Sequence, residues 1–201
     1  MNKSCSFRFG EGRKESDTMV YNLKIGGIER DLPLCPLNDS LQIAAFVLFG
    51  DIELTEVCAA ELIKKAPEHD VMVTAESKGI PLVCAMARQM GVNRYILARK
   101  GVKLYMRNVL KCVVNSITTE ATQTLYIDGD DAEYMKGKRV LIVDDVISTG
   151  ESLHALEELV RQAGGNIVGK MAVLAEGDAI NRPDIIALAP LPLFDKEGNI
   201  V

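Results

Sequence analysis

Val140-Leu141-Ile142-Val143-Asp144-Asp145-Val146-Ile147-Ser148-Thr149-Gly150-Glu151-Ser152 decides the reading of this chain. The apolar run Val140 to Val143 is too short for a helix and reads as a buried strand. Two adjacent carboxylates, Asp144 and Asp145, stand at its C-terminal end. A short turn bearing hydroxyls and a glycine follows. Leu153, Leu156, Leu159 and Val160 then recur at helical spacing, so a helix leaves the turn. A helix N-terminus offers free N–H groups and partial positive charge, which suit a phosphate dianion. Gly150 lets the backbone approach closely, and Ser148, Thr149 and Ser152 add hydroxyl donors. Asp144 and Asp145 can accept from ribose hydroxyls or hold water on a metal ion. Together these make an address for a phosphorylated sugar.

Outward from this stretch, strands and helices alternate. Val20 to Ile25 reads as a strand ended by Gly26-Gly27, and Arg30 to Pro36 as an extended, Pro-punctuated connector. A helix is expected from Asn38 or Asp39 to about Phe49. Another is expected from Leu54 to Lys65, with Val57, Ala60, Leu62 and Ile63 facing inward. Val71 to Thr74 is a buried strand. Pro81 suits the first turn of a helix ending near Gly91. Tyr95 to Ala98, Lys111 to Val114 and Thr124 to Ile127 are strands, and Asp128 to Asp131 is a turn. The helix after the opening stretch runs to about Ala163, stopped by Gly164-Gly165. Ile167 to Leu174 and Asp184 to Leu188 complete the strands. The pattern argues an α/β fold with a largely parallel central sheet flanked by helices. Ligands in such sheets bind beyond the C-terminal strand ends.

The 201 residues suffice for one domain, and 48% hydrophobic content supports a core. Residues 1-18 mix Lys, Arg, Glu, Ser and Gly without an apolar stretch. They read as a flexible extension, not a secretory signal, with a single domain over 19-201. No apolar run approaches a membrane span. Aromatics are 5%, Trp is absent and the net charge is -5. This argues against base-stacking platforms and polyanion-binding surfaces, so no nucleic acid and no membrane are expected as partners. Cys5, Cys35, Cys58, Cys84 and Cys112 show no C-x-x-C spacing. They read as reduced, mostly buried thiols of a cytoplasmic protein. His69 and His154 form no metal-ligand pattern.

Three further stretches follow strands. Thr74-Ala75-Glu76-Ser77-Lys78-Gly79-Ile80-Pro81 opens a helix and carries a cation, making a second anion site. Arg99-Lys100-Gly101-Val102-Lys103-Leu104 places three cations at a strand end, able to neutralise a pyrophosphate. Ser116 to Leu125 is hydroxyl-rich. Near the C-terminus stands Leu191-Pro192-Leu193-Phe194-Asp195.

The run Leu141 to Ser152 resembles the phosphoribosyl pyrophosphate (PRPP) motif of the type I phosphoribosyltransferases. The other stretches come in that family's order, and Arg99 to Leu104 is similar to the Arg-Lys-x-x-Lys-Leu stretch of the adenine enzymes. Lys78 stands where the adenine enzymes commonly carry Arg. Glu120-Ala121-Thr122 lacks the Tyr and Gly of their usual loop. The resemblance implies a type I phosphoribosyltransferase-like fold, with a small hood from residues 19-37 and the C-terminal segment. It implies a glycosyltransferase that moves 5-phosphoribose from PRPP to a purine base, giving a nucleoside monophosphate and pyrophosphate in purine salvage.

In the roles it implies, Asp144 and Asp145 are catalytic. Ser148, Thr149, Gly150, Glu151 and Ser152 hold the 5′-phosphate. Glu76, Ser77, Lys78, Gly79, Arg99, Lys100 and Lys103 hold pyrophosphate. Thr118, Thr119 and Glu120 belong to a flexible closing loop. Mg²⁺ is the cofactor, bound through PRPP and water with no direct protein ligand, and the protein is a homodimer. Asp144-Asp145 matches the adenine- and xanthine-type pair, whereas orotate and hypoxanthine-guanine types usually carry Glu-Asp. Adenine is favoured. Xanthine, orotate and a non-catalytic PRPP-binding purine regulator stay open.

Overall fold

The computed structural model describes residues 19–115 and 122–201. The expected extension over 1-18 and the loop residues Thr118, Thr119 and Glu120 lie outside the described residues. The elements are β1 (Val20–Ile25), β2 (Ile28–Pro36), β3 (Gln42–Ala44), α1 (Ile52–Lys65), β4 (Val71–Ala75), α2 (Gly79–Gln89) and β5 (Ile96–Ala98). There follow β6 (Leu110–Asn115), β7 (Thr122–Ile127), α3 (Gly129–Met135), β8 (Arg139–Ile147), α4 (Glu151–Gln162), β9 (Asn166–Glu176), β10 (Ile186–Leu191) and β11 (Leu193–Phe194).

The central sheet has the order β10-β9-β8-β4-β5, and every pairing in it is parallel. From Val140 to Val143 strand β8 is apolar without a break because both faces are covered. Leu141 and Val143 join Met72, Met171 and Val173 in a core shared with α1, α2 and the hood. Val140 and Ile142 join Val71, Val73 and Ala172 in a second core under α4, α3 and the β6–β7 hairpin. The period of two thus sends alternate residues of one strand into two cores.

The hood is a separate antiparallel sheet in the order β1-β2-β3-β11. Gly26 and Gly27 both have positive φ, 58° and 86°, as the tight β1–β2 turn requires. The stretch Arg30 to Pro36, expected as a connector, is part of the long strand β2. Asp51 accepts from Leu54 N at 3.0 Å and so starts α1. Arg30 Nε lies 2.7 Å from Asp51 Oδ2, tying hood to helix.

The helix expected over Asn38 to Phe49 is not there. Asn38 Oδ1 accepts from Ser40 N at 2.8 Å and Leu41 N at 2.9 Å, closing a local turn instead of capping a helix. Gln42, Ala44, Phe46 and Leu48 are then buried in alternation. Nearly every residue from Leu41 to Phe49 is apolar, so composition leaves the period undecided. Pairing with β2 and β11 decides it.

The inward face of α1 is also rotated from expectation. It is Leu54, Thr55, Cys58, Ala59 and Leu62, while Val57, Ala60 and Ile63 are half-buried. Val57 instead supports the hairpin turn, with Cγ1 2.3 Å from where a Cβ on Gly26 would lie. The turn expected at Asp128 to Asp131 opens α3, whose Ala132 and Met135 anchor it in the second core.

Leu156 on α4 is fully buried in that core. Leu156→Ala is expected to cost about 2–5 kcal/mol. Urea unfolding should show the fall as a lower midpoint with unchanged slope. An unchanged midpoint would contradict the packing.

Candidate active site

The C-terminal ends of β8 and β4 meet the N-termini of α4 and α2. Neither helix start has a side-chain cap. Helix starts favour an anion through their N–H groups and dipole, and here two of them stand at one end of the sheet. Gly150 precedes α4 with φ 82°, the left-handed conformation that glycine adopts without strain. Ser148, Gly150, Glu151 and Ser152 are half-buried and Thr149 is exposed.

Between these helix starts stand the two carboxylates, both within β8. Asp145 is 3% exposed. Its Oδ2 lacks a well-aligned hydrogen-bond donor, yet lies 2.9 Å from Lys78 Nζ. The contact is thus an ion pair with acceptor capacity to spare. Asp144 is half-buried, and its Oδ1 accepts from Asp145 N at 2.9 Å. Burial pushes the Asp144 carboxyl well above the ordinary carboxylate range, and the Asp145 charge beside it adds to the rise.

Gly79, the first residue of α2, is buried against this pair. A Cβ there would lie 2.2 Å from Thr74 Oγ1 and 3.1 Å from Asp144 Oδ1. The close approach of α2 to β8 therefore depends on glycine.

Lys78 thus reaches the carboxylates, while Ser77 is exposed beside it and the Glu76–Ser77 peptide is cis. Glu76 turns the other way. Its Oε2 accepts from Lys100 N at 2.9 Å, and its Oε1 lies 3.2 Å from Arg99 Nη1. The Lys100 N–H and the charges of Lys103 and Arg99 hold its carboxyl below the usual range. Glu76 therefore gathers the basic run against the α2 loop, leaving Lys100 and Lys103 exposed.

On the hood side lies a cleft of about 280 Å³. Residues Ala44 to Val47 form one wall, and Lys78, Val146, Ser148 and Glu176 approach from the sheet. Leu191 lines it too, while Phe194 beyond packs on Tyr21 with ring centroids 5.4 Å apart. Glu176 ends β9, and burial raises its carboxyl above the usual range while Lys78 lowers it. Glu176 and the hood wall escaped the sequence reading. The rule that strand ends carry ligands points beyond Leu174, where the expected strand stops, but Glu176 lies two residues further on at the true end of β9. Among the described residues no group of three or more His, Cys, Asp or Glu side chains could hold a metal.

Comparison with known proteins adds an independent finding. Residues 52–188 match the family model for the phosphoribosyl transferase domain. The chain is 31% identical over 145 residues to the hypoxanthine/guanine phosphoribosyltransferase of Methanotorris igneus, covering 71% of this chain and 72% of that protein. It is 28% identical over 184 residues to the adenine phosphoribosyltransferase of Mycobacterium tuberculosis, covering 92% and 82%. In fold it is similar to the crystal structure of adenine phosphoribosyltransferase from Thermoanaerobacter pseudethanolicus. The TM-score is 0.67 at 22% identity, covering 80% of this chain and 95% of that one.

The raised carboxyl of Asp144 has a consequence for stability. A group whose pKa is higher folded than unfolded stabilises fully below its unfolded value, and that contribution is lost as pH rises through the folded value. The raised carboxyl of Asp144 therefore works against the fold at neutral pH. Asp144→Asn keeps an acceptor for Asp145 N and should raise the melting temperature at pH 7. The gain should shrink towards pH 4, near the ordinary carboxylate value of about 3.9. A variant that melts lower than the parent at pH 7 would contradict this.

Proposed function

We propose a specific activity for this chain, which belongs to the phosphoribosyltransferase family. It transfers 5-phosphoribose from PRPP to a free purine base, adenine favoured, releasing pyrophosphate and the nucleoside monophosphate. One observation carries the reading: a buried carboxylate pair between two uncapped helix starts, with cations on one side and a base-sized cleft on the other. The adenine preference is supported by the Mycobacterium tuberculosis relative and by Asp144-Asp145 with the run Arg99 to Leu104.

In this reading the 5′-phosphate sits on the N–H groups of Ser148 to Ser152, aided by the α4 dipole. The ribose hydroxyls face Asp144 and Asp145, and the negative charge of this pair stabilises the cationic ring carbon as its bond to pyrophosphate breaks. The base enters the cleft between the hood and Glu176, and its nitrogen forms the new bond to that carbon, giving up its proton to the released pyrophosphate or to water. The electron pair of the broken bond leaves with pyrophosphate, towards Ser77, Gly79, Lys78, Arg99, Lys100 and Lys103. Glu76 acts on pyrophosphate only through the cations it holds. No side-chain nucleophile is required; positioning and electrostatics lower the barrier.

The spare acceptor capacity at Asp145 and the neighbouring Asp144 fit a Mg²⁺ ion held mainly by PRPP oxygens and water. When bound, that ion supplies charge neutralisation on the leaving group. A homodimer is supported by the exposed Val102, Leu104 and Tyr105 beside the basic run. Cys35, Cys58, Cys84 and Cys112 are free thiols, which suits the reducing cytoplasm.

The test is pyrophosphate release from PRPP and Mg²⁺ with adenine, hypoxanthine, guanine, xanthine and orotate supplied separately. Release should be fastest with adenine. PRPP binding without release from any base would point to a regulator instead. Asp145→Asn should lower kcat about 10²–10³-fold, the range for removing a positioned electrostatic group, in a variant that remains folded. Undiminished turnover would remove the carboxylate pair from the chemistry. Lys103→Ala should raise KM for PRPP and leave KM for the base unchanged. Equal PRPP affinity would set the basic run aside.

A further inference from the structure

The loop Ser148 to Ser152 contains no cation. A cation from a distant part of the chain reaches it. Arg182 follows a short 3-10 turn, Gly177–Asn181, beyond the end of β9. Its guanidinium is gripped on one edge by Asp184, with Nε 3.0 Å from Oδ1 and Nη2 2.7 Å from Oδ2. Asp184 is also paired with Lys170 on β9, and Lys170 Nζ lies 2.7 Å from Glu157 Oε1 on α4. These ion pairs run as an alternating chain from α4 through β9 to Arg182. Its cationic end faces the loop. Nη1, the nitrogen outside the Asp184 grip, would lie 2.8 Å from a Cβ on Gly150. Among the described residues Nη1 donates no hydrogen bond.

We infer that Arg182 is a further ligand of the 5′-phosphate, presented over Gly150 by Asp184 and completing a loop that otherwise offers N–H groups and hydroxyls alone. The inference rests on the phosphoribosyl transfer proposed above, which assigns that phosphate to Ser148 to Ser152. Arginine suits the task because its planar fork can bind Asp184 with one edge and a phosphate oxygen with the remaining nitrogen. The grip of Asp184 also fixes the side chain before ligand arrives, so little freedom is lost on binding. Gly150 has to be glycine on two counts: its φ of 82°, and the guanidinium occupying the space a side chain would take.

The experiment is calorimetric titration of ribose 5-phosphate, and separately of pyrophosphate with Mg²⁺, into the parent, Arg182→Ala and Arg182→Lys. Ribose 5-phosphate carries the 5′-phosphate alone and pyrophosphate reports the other end of the site. Arg182→Ala should weaken ribose 5-phosphate about tenfold or more, the scale of one charge-assisted hydrogen bond, and leave pyrophosphate unchanged. Arg182→Lys should recover little, because an ammonium paired with Asp184 cannot also reach the loop as a fork. Unchanged ribose 5-phosphate affinity in Arg182→Ala overturns the inference. So does an equal loss for both ligands, which would mark a general structural role. Asp184→Asn gives an independent check and should weaken ribose 5-phosphate selectively; no effect there also counts against the inference. A parent protein that binds neither ligand would instead contradict phosphoribosyl transfer itself.

Discussion

The ion pair between Lys78 and Asp145 is the contact on which the rest of the site depends. Two carboxylates on adjacent residues at the end of a buried strand are costly, since each is drawn from water and each repels the other. Lys78 Nζ, 2.9 Å from Asp145 Oδ2, offsets part of that cost and at the same time fixes where α2 begins. Gly79 then lets α2 press against Thr74 and Asp144. The start of α2 is thereby held at a set distance from the acid pair.

The two loops that would meet pyrophosphate are joined by a different device. Glu76 is an acid set among cations, and its geometry explains the choice. By accepting from Lys100 N and facing Arg99, it folds the basic run back on the α2 loop. Arg99 is further fixed by its backbone, which exchanges hydrogen bonds with Tyr126 of β7. Lys100 and Lys103 remain exposed for a ligand. One carboxylate thus trades some positive charge for a defined position of the remainder, the usual exchange in preorganised sites.

Much of this was legible in residue order because the chemistry is local. The strand, acid pair, turn and helix of Val140 to Ser152 follow one another without a gap, and each step has its own signature in residue type. The parallel sheet and the hood strand β1 were readable for the same reason. The stretch Leu41 to Phe49 was not, since an unbroken apolar run fits either period and only pairing with β2 and β11 selects a strand. Glu176 and Arg182 were equally hidden. Glu176 matters because of the hood segment it faces across the cleft. Arg182 matters because Asp184 and Lys170 aim it at a glycine thirty-two positions earlier in the chain. Neither relation leaves a mark in local spacing.

The central claim is that one end of the sheet holds a phosphoribosyl group between the α4 loop and the acid pair, with a base in the hood cleft. A crystal structure with AMP bound tests this most directly. The phosphate should lie on the N–H groups of Ser148 to Ser152, the ribose hydroxyls should face Asp144 and Asp145, and adenine should fill the cleft between Phe46 and Glu176. A phosphate seated instead on Lys100 and Lys103, with the cleft vacant, would contradict it.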